Sequence, residues 1–284
     1  MTSLKIDLHK IRQEQLKPIF DELEKAFIEI GIDFYLIGAV ARDIWITGVH
    51  GGKATRITRD VDFAVLIPEK EGYSKLRKLL IETGKFVEVK ENAFALSYEG
   101  ITVDLLPFGK EIEDAGVVSI EGRGLTTISV DGFAEVLEEA TASIEFEQGN
   151  RFKVCTLPGM IVLKLIAYDD RPEMRTKDIR DIGNIIESYH NFVHEEILDK
   201  HFDLLDAAPY DRLVIAARVL GREMRPILER NEKLKSRVKK ILETACADPE
   251  NSKIGMLMIS GEITSLTQTA SLVEGMLKGI DDTP

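Results

Sequence analysis

The chain has 284 residues, of which 44% are hydrophobic and 30% charged, a composition typical of a globular protein with a substantial core. Its formal net charge of −12, from 37 basic and 49 acidic residues, argues against a protein that coats nucleic acid with its whole surface. The two cysteines form no C-x-x-C pair, and no secretory leader or long apolar run is visible, so we expect a cytoplasmic protein without a membrane segment.

The first part of the chain predicts two helices with a strand between them. In the segment 15–31, apolar residues recur at intervals of three and four, which predicts an amphipathic helix that stops at a glycine. The short apolar run Phe34–Ile37 predicts a buried strand, which leads through Gly38 into a second helix over 39–45. The Gly-rich and basic segment 47–58 is expected to be a loop.

Strands dominate the middle of the chain, and helices dominate its C-terminal part. The β-branched run Asp60–Ile67 predicts a strand, and Glu71–Glu82 predicts a helix. Further short strands are predicted at Phe86–Lys90, Phe94–Tyr98, Ile101–Leu106, Ser143–Glu147 and Arg151–Thr156. After Pro158 the pattern is almost wholly helical. We therefore predict an α+β fold in two domains: a mixed sheet flanked by helices in 1–157, and an all-α domain in 158–284.

Three aspartates stand in these strands among apolar neighbours. Because side chains alternate between the two faces of a strand, Asp60 and Asp62 share one face, while the residues around them point into the core. Asp104 occupies the same kind of position in a later strand. Carboxylates so close together repel one another unless cations lie between them, and Mg²⁺ binds carboxylate oxygens together with substrate phosphates. The pattern predicts a two-metal site for displacement at phosphorus; the alternative is a strand edge whose acids simply face water.

The turn that precedes the second helix supplies the remaining part of such a site. Gly38 and Ala39 stand where the strand ends and the helix begins. A glycine there lets backbone N–H groups approach a phosphate, and the N-terminus of the helix adds a partial positive charge. We expect this turn to hold a triphosphate.

These motifs, in this order, resemble the DNA polymerase β-type nucleotidyltransferase superfamily. The superfamily pattern h-G-[GS], D-h-[DE]-h and h-[DE]-h corresponds here to Ile37-Gly38-Ala39, Asp60-Val61-Asp62-Phe63 and Val103-Asp104-Leu105, with alanine in place of the second glycine or serine. Within it, the chain is most similar to the bacterial predicted nucleotidyltransferases of the AbiEii toxin type. Their R-x-T-x-D-h-D motif is matched by Arg56, Thr58 and the two following aspartates.

The resemblance implies a nucleotidyltransferase fold and a set of site residues. Asp60, Asp62 and Asp104 would be catalytic and would bind two Mg²⁺ ions. The family also carries a helical lysine after the core and a K-D-x-x-D run, which are matched here by Lys164 and by residues 177–181. The implied nucleotide-binding residues are Gly38, Ala39, Arg56, Thr58, Lys164, Asp178 and Asp181.

The same resemblance implies the substrates. The enzyme would transfer a nucleoside monophosphate from an NTP to an acceptor hydroxyl, and the acceptor of a toxin-like member would be the 3′ end of tRNA. An antitoxin-like protein would be its partner. Two alternatives stay open: a small-molecule acceptor, as in antibiotic adenylyltransferases, and a nucleotide-binding or protein-binding module on the same fold without turnover.

Several charged residues of the helical part have a simpler interpretation beside the functional one. Lys164 lies in an apolar helical stretch, where a lysine often extends along the surface towards water. Asp178 is suited to capping a helix, and Asp181 is spaced to pair with Lys177 four residues earlier.

The segment 212–240 carries an excess of positive charge. It contains ten basic and three acidic residues, a local net charge of +7. Such a surface suits an RNA backbone, and the alternative is a solvated helix face. Shortly before it, His190, His194 and His201 stand at helical spacing without an H-E-x-x-H order, so we expect an exposed helix end rather than a metal site.

Overall fold

The structure is a computed structural model that describes residues 4–52, 59–205 and 210–282. The chain divides into two compact units, Met1–Thr156 and Leu157–Pro284. The first unit combines a sheet with helices, and the second is helical. The predicted α+β fold is confirmed. Within the described ranges, no helix is both long enough and apolar enough to cross a membrane.

The first unit begins with a short strand, alternates helices with strands as far as α3, and continues with a run of strands that α4 ends. In chain order its elements are β1 (Leu4–Ile6), α1 (Lys17–Ile30), β2 (Phe34–Ile37), α2 (Gly38–Asp43), β3 (Asp60–Leu66), α3 (Gly72–Glu82), β4 (Phe86–Glu88), β5 (Ala95–Tyr98), β6 (Ile101–Phe108), β7 (Glu113–Asp114), β8 (Val117–Ser119), β9 (Thr127–Ser129), α4 (Phe133–Glu139), β10 (Thr141–Phe146) and β11 (Arg151–Cys155).

The described strands form a mixed eight-stranded sheet and a separate three-stranded sheet. The order in the large sheet is β1-β10-β11-β2-β3-β6-β5-β4, and the small sheet contains β7, β8 and β9. Strands β3 and β6 pair in parallel, whereas β3 is antiparallel to β2 and β6 is antiparallel to β5. The predicted aspartate strands are therefore neighbours in the middle of the sheet.

The two faces of the large sheet are covered by different helices. On one face, Phe63 of β3 packs edge-on against Phe20 of α1 at 6.1 Å between ring centroids, and against Phe27 at 5.9 Å. On the other face, the Tyr35 hydroxyl of β2 donates to the Phe133 carbonyl of α4 at 2.9 Å. Helix α4 thus covers part of the face that also carries Asp62.

The segment after Gly38 departs from the prediction. Helix α2 does not give way to a loop at residue 47, because a wider helical turn continues it over Ile44–Val49. Burial explains the extension: Ile44 is fully buried, and the Trp45 indole donates to the Cys155 carbonyl at 2.7 Å. The sequence pattern also missed β1, the small sheet and α4, which are all short elements.

The second unit is a bundle of helices. Its elements are α5 (Leu157–Asp170), α6 (Thr176–Phe192), α7 (His194–Lys200), α8 (Arg212–Glu229), α9 (Glu232–Ala247), α10 (Lys253–Met258) and α11 (Leu266–Asp281). Helix α5 is buried almost throughout its first ten residues. Asp211 caps α8 by accepting from the Leu213 and Val214 amides, and Asn231 caps α9 in the same way.

Candidate active site

One row of residues crosses four adjacent strands and contains two of the three predicted aspartates. Ile37 of β2 pairs with Asp62 of β3, Asp62 pairs with Asp104 of β6, and Asp104 pairs with Ala95 of β5. Paired residues of neighbouring strands present their side chains on the same face. Asp62 and Asp104 are therefore side by side, and Asp60 lies two residues before Asp62 on that face.

The three carboxylates are accessible to different degrees. Asp60 is exposed, whereas Asp62 and Asp104 are half-buried. Val61 and Phe63, which alternate with Asp60 and Asp62 along β3, are fully buried on the opposite face. The alternation of β3 thus separates a core face from an acidic face. Strands β3 and β6 are not edge strands of the sheet, because each has a partner strand on both sides. Asp60 lies before the part of β3 that pairs with β2 and faces water.

The Gly38 turn lies directly against this acidic face. Gly38 has a φ of +70°, and a β-carbon built on it would lie 2.1 Å from Asp62 Oδ2. A side chain at residue 38 would have to adopt this left-handed conformation and displace the Asp62 carboxylate, so the position favours glycine. Gly38 and Ala39 are themselves half-exposed at the start of α2. The glycine motif and the aspartate motif, which begin 22 residues apart in the chain, thus lie against each other.

Asn92 is a polar neighbour of the aspartates that the sequence analysis missed. Its amide nitrogen Nδ2 donates to Asp104 Oδ1 at 3.0 Å, and its oxygen Oδ1 accepts from the Phe94 amide at 3.0 Å. In the sequence, Asn92 reads only as a residue typical of turns. No spacing or pattern marks its contact with Asp104.

Lys164, Asp178 and Asp181 form one buried ionic cluster in the helical unit. Lys164 Nζ donates to Asp178 Oδ1 and to Asp181 Oδ2, both at 2.8 Å. Burial opposes the charge on Lys164, but the two carboxylates outweigh it and raise the pKa of the amine above its usual value. Lys164 is 8% exposed, so the interpretation as a surface lysine is wrong. Asp181 pairs with Lys164, which is not the Lys177 pairing that spacing suggested.

The basic segment 212–240 lies on α8 and α9, and much of its charge is neutralised within the helical unit. At least six of its ten basic residues form ion pairs, most of them with acids outside the segment. Arg218 and Arg222 both bind Asp282, and Arg222 also binds Asp203. Arg237 binds Asp169 and Asp170. The basic surface available to a partner is therefore smaller than the sequence count implies.

Arg56 and Thr58, which were predicted to contact the nucleotide, lie outside the described residues. Their roles remain predictions.

A second acidic group lies in the helical unit, around His201. Donor atoms of Glu196, His201 and Glu223 lie within 4.8 Å of one another. The prediction of an exposed helix end is wrong for His201, which is 7% exposed. Arg222 Nη1 lies 3.2 Å from His201 Nδ1. Since a guanidinium only donates, Nδ1 accepts and the other ring nitrogen, Nε2, carries the proton. That nitrogen has no lone pair to offer, so we do not assign a metal site here.

The aspartates of the sheet are the donor set that suits Mg²⁺. They are hard oxygen ligands from two adjacent parallel strands, and one face of the sheet presents all three. Beside them, the backbone of the Gly38 turn lies so close that a β-carbon there would be 2.1 Å from Asp62 Oδ2. The residues present therefore fit a site for divalent metal and phosphate.

Comparison with known proteins shows the family of the chain. The model of the family described as "Nucleotidyl transferase AbiEii toxin, Type IV TA system" matches residues 14–250. No curated protein gives a significant match. Among solved structures, the antibiotic-resistance factor ANT(2'')-Ia is 12% identical, with a TM-score of 0.36, over 82% of this chain and 94% of that one.

Two further solved structures are described as tRNA enzymes. A tRNA-processing enzyme is 16% identical, with a TM-score of 0.32, over 93% of this chain and 74% of that one. The Thermotoga maritima CCA-adding enzyme complexed with tRNA is 10% identical, with a TM-score of 0.32, over 99% of this chain and 85% of that one.

Proposed function

This chain belongs to the AbiEii nucleotidyltransferase toxin family, and on that premise we propose that it transfers a nucleoside monophosphate from an NTP to an acceptor hydroxyl. The acceptor oxygen would form a bond to the α-phosphorus, the bond from that phosphorus to the β-phosphate oxygen would break, and pyrophosphate would leave. One observation carries the proposal: Gly38, directly after β2, lies against Asp62 of β3, which pairs with Asp104 of β6.

In this proposal the three aspartates hold the metal and handle a proton. Asp60 and Asp62 would each contribute to binding two Mg²⁺ ions, and Asp104 would bind the ion nearer the acceptor. Bound Mg²⁺ would neutralise charge on the phosphates and make the acceptor hydroxyl more acidic. Asp104 would then receive the hydroxyl proton as the general base.

The phosphates would be held by the Gly38 turn and by cations elsewhere in the chain. The backbone N–H groups of Gly38 and Ala39 would donate to the β- and γ-phosphates. Arg56 and Thr58 would contact the nucleotide as in the family motif. The family resemblance gives Lys164, Asp178 and Asp181 as further nucleotide-binding residues, with the two aspartates fixing the lysine.

We propose an RNA 3′ end, as in tRNA, for the acceptor, and the cytoplasm as the compartment that supplies RNA and NTP together. The description of the family as a type IV toxin supports a macromolecular target and an antitoxin-like partner. A small-molecule acceptor of the antibiotic type is the alternative, and the ion pairs that neutralise much of α8 and α9 keep it open.

The test is a labelling assay with the full chain, Mg²⁺, each α-labelled NTP in turn, and either total tRNA or a panel of aminoglycosides. We expect label in the RNA with one preferred NTP, and loss of the label in Asp60→Asn and Asp62→Asn. If only the aminoglycosides are labelled, the acceptor is a small molecule and not RNA, but the proposed reaction stands. If neither acceptor is labelled and calorimetry detects no Mg²⁺-dependent NTP binding, the catalytic proposal is wrong and only a protein-binding module without turnover remains.

A further inference from the structure

Asp104 is held by a loop that no sequence motif marks. Asn92 Nδ2 donates to Asp104 Oδ1 at 3.0 Å, across the gap between the segment that enters β5 and the middle of β6. We propose that Asn92 is the positioning residue of the metal site, which orients the Asp104 carboxylate for the metal. This inference rests on the proposed function of Asp104 as a metal ligand.

The orientation of the Asn92 amide is fixed from both ends. Its oxygen accepts from the Phe94 amide at 3.0 Å, so that oxygen faces its own backbone and the NH₂ group faces Asp104. A neutral donor suits this position. It binds one carboxylate oxygen without competing for the metal, whereas a second acid there would repel Asp104. Partners of this kind fix the rotamer of a metal ligand and leave its other oxygen oriented.

The loop that carries Asn92 is in turn tied to the segment between β8 and β9 of the small sheet. The Ala93 amide donates to the Leu125 carbonyl, and the Leu125 amide donates to the Glu91 carbonyl, both at 2.9 Å. Gly124 makes this close approach possible: its φ is +71°, and a β-carbon on it would lie 2.0 Å from the Glu91 carbonyl oxygen. The small sheet, which the sequence analysis missed, thus supports Asp104 through Asn92.

Binding of Mn²⁺ alone, measured by electron paramagnetic resonance of the free ion, tests this proposal without turnover. Asn92→Ser is the informative variant, because its short hydroxyl can still accept from the Phe94 amide but does not reach Asp104. We expect Asn92→Ser to weaken Mn²⁺ binding about 10-fold. In the Asp104→Asn background, the same change should have no further effect, because the Asn92 contact acts through Asp104.

Three comparisons distinguish a role of Asn92 in positioning Asp104 from general damage to the fold. Lys90→Ala, an exposed change in the same loop, should leave Mn²⁺ binding unchanged. Gly124→Ala should weaken it, whereas Gly100→Ala, where φ is +83° but nothing lies within 4 Å of the new β-carbon, should not. In the labelling assay, Asn92→Ser should lower kcat by about 10-fold and leave the KM for NTP unchanged.

The outcomes distinguish this inference from the function on which it rests. Wild-type Mn²⁺ binding that Asn92→Ser does not alter, or that it weakens equally in both backgrounds, overturns the role of Asn92 and leaves the metal site intact. A wild type that binds no Mn²⁺, with or without NTP, removes the metal site and this inference together. If Asn92→Ser unfolds, Gly124→Ala and its Gly100→Ala control decide the question in the same assay.

Discussion

Gly38 and Asp62 are so close that a β-carbon on the glycine would lie 2.1 Å from the carboxylate oxygen Oδ2. The contact joins the glycine motif to the aspartate motif of β3. It also means that the position of the Asp62 carboxylate depends on the absence of a side chain at residue 38, since that carboxylate would have to rotate away to admit a methyl group.

Gly38→Ala should therefore damage the site more than the fold. An alanine at a φ near +70° costs roughly 1–2 kcal/mol of unfolding free energy. The displaced Asp62 carboxylate should lower nucleotidyl transfer by about 100-fold, the scale expected for a misplacement near 1 Å. Thermal unfolding and the labelling assay measure the two effects separately.

Gly31→Ala is the matched control for this change. Gly31 has a φ of +71°, but nothing lies within 4 Å of a β-carbon built on it, and it follows α1 and precedes β2, whereas Gly38 follows β2. We expect the same loss of unfolding free energy with full activity. Equal activity losses in the two variants would contradict a specific contact between Gly38 and Asp62.

The aspartates were predictable from sequence because each depends on one strand and its alternation. Asp60, Asp62 and Asp104 each stand among apolar residues, and the parallel pairing of β3 with β6 brings them together. Asn92 and the partners of Lys164 were not predictable in this way. Their contacts join residues 12, 14 and 17 positions apart across different elements, and no local period encodes them.

The buried cluster of Lys164 predicts a large loss of stability on Lys164→Met. The change leaves the carboxylates of Asp178 and Asp181 without their shared cation, which should cost about 3–5 kcal/mol of unfolding free energy. Adding Asp178→Asn and Asp181→Asn should recover most of it, because no buried charge then remains. Urea unfolding measures both, and Lys177→Met, an exposed change on the same helix as the two aspartates, should have almost no effect.

The same variants test the nucleotide role of Lys164. If the lysine contacts a phosphate as proposed, the triple variant should fold but bind NTP at least about 10-fold more weakly, the scale of one charge-assisted hydrogen bond. Calorimetry with Mg²⁺ and NTP makes the comparison. An unchanged Kd in the folded triple variant would limit the cluster to holding α5 against α6.

His201 predicts that the chain loses stability in mild acid. Burial, followed by the nearby Arg222 guanidinium, lowers the pKa of His201 below its usual 6.5. The folded state thus binds fewer protons here than the unfolded chain does. The contribution of neutral His201 to the free energy of unfolding is fully present above pH 6.5. It is lost as the pH falls through the pKa that His201 has in the folded state. His201→Gln should make the urea midpoint fall less between pH 7.5 and 5.5 than in the wild type. The exposed change His194→Gln should leave that fall as it is.

The ion pairs of α8 determine which substitutions can test an RNA surface. Arg222 Nη1 donates to Asp203 Oδ1 at 2.8 Å, and the same side chain binds Asp282. Its side chain is 15% exposed. Arg222→Met should therefore reduce unfolding free energy, because two carboxylates lose a partner and one of them, Asp282, is largely buried. A loss of RNA labelling in that variant would not report on RNA contact.

Lys233 and Lys240 of α9 are exposed and are the better probes. If RNA lies along this helix, Lys233→Glu with Lys240→Glu should weaken RNA binding at low salt and keep the thermal stability of the wild type. Each lost phosphate contact should also reduce the slope of log affinity against log salt concentration by about 1. Filter binding of tRNA between 50 and 200 mM salt, a range that spans most of this dependence, measures the slope. An unchanged slope in the folded double variant would place the RNA backbone elsewhere and leave the chemistry at Asp60, Asp62 and Asp104 unaffected.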